Sequence, residues 1–171
     1  MSSSTEWITR AETTADVPAV REIVLAAFET PLEADLVDAL RTDSAWIDGL
    51  SVVAVDSDDR PVGHALLTRC HIGDTPALCL APVSVRPGRQ KTGAGSAATR
   101  AVLRAAAAMG ERFVVVLGHP EYYPRFGFGR ASEHGIGVTF EVPDEALMAL
   151  ALVPDERLPS GIIRYAAPFG I

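Results

Sequence analysis

The chain reads as a mixed α/β fold built around an antiparallel meander. Three features predict it. Short apolar runs alternate with stretches of helical periodicity, so strands and helices are interleaved. Two polar turns, Asp56-Ser57-Asp58-Asp59-Arg60-Pro61 and Gly73-Asp74-Thr75-Pro76, join three β-rich runs into a meander. A long alanine-rich stretch then leads to Phe113-Val114-Val115-Val116-Leu117, a wholly apolar run suited to a buried central strand.

Element by element, Trp7-Ile8-Thr9-Arg10 is a short first strand. Thr13 or Thr14 precedes Ala15-Asp16-Val17-Pro18, a helix start with proline in the first turn. Val20, Ile23, Val24 and Ala27 follow at helical spacing; Pro31 interrupts the pattern, and Leu36, Val37 and Leu40 resume it. Two helices hinged at Phe28-Glu29-Thr30-Pro31 are therefore expected. The period then shortens: residues 51–55, 62–69 and 77–85 are the meander strands. If the second turn centres on Asp74-Thr75, Cys70 and Cys79 face each other across the hairpin as buried, reduced thiols. The alanine-rich helix spans about Ser96 to Met109, and Gly110 is its stop. Residues 145–152 fit a helix by propensity and a buried strand by alternation. Ile162-Ile163-Arg164-Tyr165 is a terminal strand.

At 171 residues, the sequence is one domain's worth of chain, here 1–171. Its 48% hydrophobic and 22% charged residues are globular composition. No uncharged apolar run reaches the roughly 18 residues of a membrane span. Met1 to Glu6 has no basic flank and no apolar core, so no secretory signal is expected. Two cysteines build neither a disulfide scaffold nor a four-cysteine zinc site, and no metal is expected. The expected setting is the cytoplasm.

A net charge of −7 argues against a nucleic-acid partner. The distribution is more telling than the total. Residues 1–74 hold 14 acids and 5 bases, and residues 111–171 hold 8 and 5. Residues 75–110 hold no acid at all, only Arg86, Arg89, Lys91, Arg100 and Arg104. An acidic protein that keeps one acid-free basic segment has a place for a small anion.

That segment contains Gln90-Lys91-Thr92-Gly93-Ala94-Gly95-Ser96, between a strand and the start of the long helix. Unsatisfied N–H groups at the positive end of a helix, with two glycines to admit a ligand, make a phosphate cradle. Gly93-Ala94-Gly95-Ser96-Ala97-Ala98 matches G-x-G-x-x-A, but a dinucleotide site needs the strand to run directly into its first glycine. Here Arg86 to Thr92 intervene. Gly88 and Gly93 have Walker spacing, yet Ala94 and Gly95 replace the required lysine and hydroxyl residue.

The third pattern, Q-x-x-G-x-G from Gln90, Gly93 and Gly95, resembles the pyrophosphate motif of the GNAT N-acetyltransferase superfamily. Downstream, Tyr123, Gly127 and Phe128 are similar to that family's Y-x-x-x-G-F element. The element order is similar too, over roughly residues 7–130. Leu80-Ala81-Pro82-Val83-Ser84-Val85 and Val62-Gly63-His64 resemble a subgroup of small bacterial acetyltransferases. High alanine and fifteen basic residues with a single lysine also suit a bacterial chain.

The resemblance implies a mostly antiparallel sheet with splayed central strands and helices on both faces, and acetyl-CoA as co-substrate. Its pantetheine arm would pair with the main chain of Val83, Ser84 and Val85. Amides from about Lys91 to Ser96 would hold the pyrophosphate, and Arg86, Arg89 or Lys91 the ribose phosphate. A primary amine, of a small molecule or an exposed protein amino group, would attack the thioester directly. An alkyl amine of pKa about 10.4 must first lose a proton. Tyr123 matches the family's general acid. The base is fixed by no motif: His119 and Glu121 lie after the apolar strand, His64 is in the meander, and Glu29 is in the hinge. Glu29, Glu33 and Asp35 would draw a cationic acceptor. Homodimers are common in this superfamily. The competing expectation is a non-catalytic acyl-CoA-binding sensor, which would keep the cradle and need no acid.

Overall fold

The computed structural model describes residues 7–171. The reading of residues 1–6 as lacking a signal lies outside the described residues. Strand β1 (Ile8–Ala11) leads through a 3-10 turn into α1 (Val17–Ala27), then α2 (Leu32–Arg41). The apolar spacing explains the packing: Val20, Ile23 and Val24 of α1 and Ala34, Val37 and Leu40 of α2 are the buried residues. The entry to α1 is held by Asp16. Its carboxylate accepts from the Thr13 N–H at 2.6 Å and the Thr13 hydroxyl at 3.0 Å. Arg10 donates to it from both terminal nitrogens, at 2.6 and 3.1 Å.

The meander is β2 (Ser51–Val55), β3 (Pro61–Ile72) and β4 (Thr75–Val85). Ile72 pairs with Thr75, so the hairpin closes on Gly73-Asp74, one residue earlier than expected. A two-residue hairpin turn needs positive φ at its first position, and Gly73 supplies it at 60°. This corrects the expected cysteine pairing. Cys70 lies opposite Ala77 and Cys79 opposite Thr68. Both thiols are buried and free, and burial pushes the Cys70 thiol up to about 12.

Helix α3 (Ala94–Ala108) starts two residues before its expected position and is followed by β5 (Phe113–Leu117). Short strands β6 (Gly129–Arg130) and β7 (Ile136–Gly137) precede β8 (Leu147–Ala151) and β9 (Gly161–Arg164). The ambiguous segment is thus a strand. It runs antiparallel to β5 from Phe113 opposite Ala151 to Leu117 opposite Leu147, and this tertiary ladder overrides local helix propensity.

The strand order is β1-β2-β3-β4-β5-β8-β6, with β9 joining β3 and β7. On one face, α3 packs Ala98, Val102 and Ala106 against Val52, Leu67 and Leu78. On the other, α1 and α2 pack against Val53, Val55 and Leu66. Two irregularities shape what lies between. Ala65 pairs with Val83 but Leu67 with Leu80, so β4 holds one extra residue around Ala81-Pro82. The β4–β5 ladder is parallel and joins only Leu78 to Val114 and Cys79 to Val115, although β4 continues to Val85 and β5 to Leu117. The central strands part beyond those two pairs.

The Asp16 knot allows a stability test. The Arg10 hydrogen bond, foremost, holds the Asp16 carboxyl down at about 2, against 3.8 ordinarily. Its contribution is therefore complete above about pH 4 and is lost as pH falls toward 2. Asp16→Ala should cost about 1–3 kcal/mol at neutral pH. In thermal melts that is roughly 2–4 °C per kcal/mol, and the gap from the unsubstituted protein should close as the medium is acidified to about pH 2. A gap that persists there would disprove the linkage.

Candidate active site

Where β4 and β5 part, a cleft of about 650 Å³ opens against the N-terminus of α3. Val83 and Val85 form one wall, with Gln90 and Lys91 of the loop beside them. Gly93, Ala94, Gly95 and Ser96 bring the first turn of α3 to the same cleft. His119, Tyr122, Tyr123 and Arg125 complete it from the segment after β5. Positions separated by forty residues in the chain therefore meet in one place. Ser84, Thr92 and Glu121 are not among its lining residues.

The extra residue in β4 explains the wall. Side chains alternate along a strand, so Leu78 and Leu80 face α3 while Cys79 faces the opposite side. One inserted residue resets the alternation, and Val83 and Val85 return to the α3 side. Ser84 points the other way and is buried, leaving only its main chain for a ligand beside the cleft. Gly95 meets this wall directly: a Cβ there would stand 2.9 Å from Val85 Cγ2. Its lack of a side chain serves helix–strand approach, whereas Gly93, at φ 88°, supplies the left-handed turn into α3.

The loop is tied down from outside. Trp7 Nε1–H donates to the Thr92 carbonyl at 2.9 Å, and the Gly88 N–H donates to Gln90 Oε1 at 3.2 Å. Thr92 Oγ donates within the loop to the Arg89 carbonyl. Two of the three cations expected at the ribose phosphate are directed elsewhere. Arg86 donates to the Pro61 carbonyl at 3.2 Å, and Arg89 sits over the Trp7 ring at 5.9 Å. Lys91 remains in the cleft. Arg125, which joins it, was not expected there; its signal was a basic residue inside the aromatic Tyr122-to-Phe128 segment.

The two tyrosines are placed differently. Tyr122 OH and Ser96 Oγ are 2.8 Å apart, fastening the segment after β5 to the first turn of α3. Tyr123 is 9% exposed and wedged among Tyr122, Phe126 and Phe128. Burial, then the neighbouring Tyr122, pushes its phenol up to about 12. A phenol so placed keeps its proton at neutral pH and can donate it.

The candidate bases also separate. His119 and Glu121 are exposed, with Nδ1 and Oε1 3.8 Å apart. His64 is sealed in the core, its Nε2 2.8 Å from Ser51 Oγ. Burial, then the Arg41 charge, lowers its pKa to about 3, so it stays neutral. In the hinge region Glu29 is exposed and Glu33 meets the Thr30 hydroxyl at 3.2 Å. Asp35 is paired with Arg21 at 3.0 Å. Among the described residues no helix is long and apolar enough to cross a membrane.

Known proteins are similar to this chain in sequence and in fold. The sequence profile of the Acetyltransferase (GNAT) family matches residues 17–128, from the start of α1 to the end of the tyrosine segment. An Escherichia coli K12 protein named Uncharacterized N-acetyltransferase YjhQ is 35% identical over 161 residues, covering 90% of this chain and 88% of that one. Among solved structures, a GNAT family acetyltransferase from Brucella melitensis in complex with acetyl-CoA superposes with a TM-score of 0.78 at 30% identity, over 96% of this chain and 98% of that one. The E. coli GNAT family N-acetyltransferase YhbS, in complex with CoA, gives a TM-score of 0.89 over 96% and 92% of the two chains; at 24% identity it speaks for the fold. The profile spans well over half of the chain and a relative near full length shares a third of its residues, so this chain belongs to the acetyltransferase (GNAT) family.

Proposed function

We propose that this protein transfers the acetyl group of acetyl-CoA to a primary amine, of a small molecule or of an exposed amino group, with Tyr123 as general acid. The observation that carries this reading is the shared cleft: the 90–96 loop, the Val83–Val85 wall and the Tyr123 ring lie around one space. The fit to a phosphorylated thioester rests on the cleft's own chemistry. Among the described residues its lining contains no carboxylate; it includes Lys91 and Arg125 and abuts the N-terminus of a fifteen-residue helix. The Brucella relative bound to acetyl-CoA supports the same choice of donor.

In this reading the amides from Lys91 to Ser96 hold the pyrophosphate, and the main chain of Val83, Ser84 and Val85 pairs with the arm that carries the thioester. A main-chain N–H of that stretch is the donor for the carbonyl oxygen as charge develops on it. The amine nitrogen forms the new C–N bond and the C–S bond breaks. Tyr123 gives its proton to the departing sulfur. The proton released by the amine leaves through water or through His119, at the rim of the cleft beside Glu121. Glu29 and Glu33 favour a cationic acceptor; Asp35 contributes less because Arg21 neutralises it.

The first test is thermal denaturation with acetyl-CoA, CoA and NAD in parallel. A ligand at a hundred times its Kd adds about 2.7 kcal/mol, or roughly 5–10 °C at this size. Acetyl-CoA and CoA should raise the midpoint and NAD should leave it; no shift with the first two would end the coenzyme reading. With an amine identified from thiol release, Tyr123→Phe should lower kcat about 100-fold while acetyl-CoA affinity stays within about threefold. A silent substitution would favour a binding-only role or another acid. At about pH 10, where an ordinary phenol is half ionised, no alkaline loss through Tyr123 is expected.

Gly118 offers an independent handle on the same tyrosine. A Cβ at Gly118 would stand 2.4 Å from Tyr123 Cε2. Gly118→Ala should therefore displace the ring, cost about 1–3 kcal/mol of stability and lower kcat with it. Full activity in that variant would mean that the ring position is unimportant.

A further inference from the structure

The cleft holds a cation that the loop motif does not supply. Arg125 lies in the 3-10 turn Tyr123–Phe126, beyond β5, and lines the cleft. Its side chain is held at the base: Nε–H donates to the Tyr122 carbonyl at 2.8 Å, and the guanidinium carbon stands 4.2 Å from the centre of the Tyr122 ring. Tyr122 is in turn fastened to Ser96, in the first turn of α3, through the 2.8 Å contact between hydroxyls. The three residues form a continuous brace from the helix N-terminus to the guanidinium.

What the brace leaves free is the fork. Seven of the other thirteen arginines, Arg10, Arg21, Arg41, Arg69, Arg112, Arg130 and Arg164, each have a carboxylate within 4 Å. Among the described residues no carboxylate pairs with Arg125, and no hydrogen bond is made by Nη1 or Nη2. In a chain of net charge −7, an unneutralised guanidinium stacked on an aromatic ring, beside a cleft with no carboxylate among its described lining residues, is a prepared anion contact. The loop arginines do not compete for the task, since Arg86 is turned to Pro61 and Arg89 to Trp7.

We infer that Arg125 grips a phosphate group of the coenzyme through Nη1 and Nη2, with Tyr122 and Ser96 holding it in position. The inference rests on the proposed acetyl-CoA reading and names a phosphate contact for that site. Two phosphate sources exist in the coenzyme, the pyrophosphate and the 3′-phosphate, and dephospho-CoA, which lacks only the latter, separates them.

Isothermal titration of the intact protein tests it, with acetyl-CoA, CoA and dephospho-CoA as probes at low and at high salt. Arg125→Ala should weaken acetyl-CoA about 10- to 100-fold and flatten the salt dependence. Arg125→Lys should recover only part, because an ammonium has no planar fork to serve the Tyr122 carbonyl and a phosphate together. Arg130→Ala, on the same segment but paired with Asp144, is the control for net charge and should bind like the unsubstituted protein. With CoA as the reference, a penalty that vanishes on dephospho-CoA assigns the 3′-phosphate, and one that persists assigns the pyrophosphate. Acetyl-CoA affinity within twofold in Arg125→Ala, with an unchanged melting midpoint, overturns the inference and leaves the coenzyme reading intact. No binding by the unsubstituted protein overturns the coenzyme reading itself.

Discussion

One extra residue in β4 governs the geometry of the cleft. Pro82 has no N–H to give to a ladder, and the pairing of β3 with β4 slips by one residue around Ala81-Pro82. Before the slip, Leu78 and Leu80 face α3; after it, Val83 and Val85 do. Without the slip Ser84 would face the helix and both valines would turn away. The wall against which Gly95 packs, and with it the seat of the α3 N-terminus, follows from this reset.

The second constraint is the short ladder between β4 and β5. Two paired residues on each strand anchor a parallel contact at Leu78–Cys79 and Val114–Val115, and β8 completes the other edge of β5 along its full length. The two strands are thus joined to each other at one end and parted at the other, each still held by its outer neighbour. A parting of this kind exposes main-chain N–H and C=O groups on β4 that have no strand to meet. It places them beside Tyr123, on the segment that β5 delivers. Strand ends and a helix N-terminus, each rigidly held, are suitable supports for positioned chemistry.

Charge is distributed to the same end. Seven of the thirteen arginines outside the cleft are matched by carboxylates, among them Arg10 to Asp16, Arg69 to Glu111 and Arg112 to Glu156. The cleft is lined by Lys91 and Arg125, with no carboxylate among its described lining residues. An acidic exterior around an uncompensated basic site repels anions at long range and holds them at contact, whereas cationic amines are drawn from the opposite side of the balance. His64 shows the contrasting case. Buried among strands and kept neutral, it is bound to Ser51 and carries no charge into the core.

The sequence by itself determined the meander, the central apolar strand and the loop-to-helix cradle, because turns, apolar runs and glycine placement are local chemistry. Tyr123 was marked by resemblance, through the match of Tyr123, Gly127 and Phe128 to the family's Y-x-x-x-G-F element. Tertiary structure alone decided which side chains share the cleft. The reset at Ala81-Pro82 has no periodic signature, since Leu80, Val83 and Val85 look like ordinary strand residues however the ladder is counted. Within residues 145–152, Leu147–Ala151 became a strand because β5 had an open edge, a fact absent from their own propensities. Trp7 on Thr92 and Tyr122 on Ser96 join positions 85 and 26 residues apart, and no local rule relates them. Arg86 and Arg125 carry the same charge in sequence; only packing turns one to a backbone carbonyl of β3 and leaves the other facing the cleft.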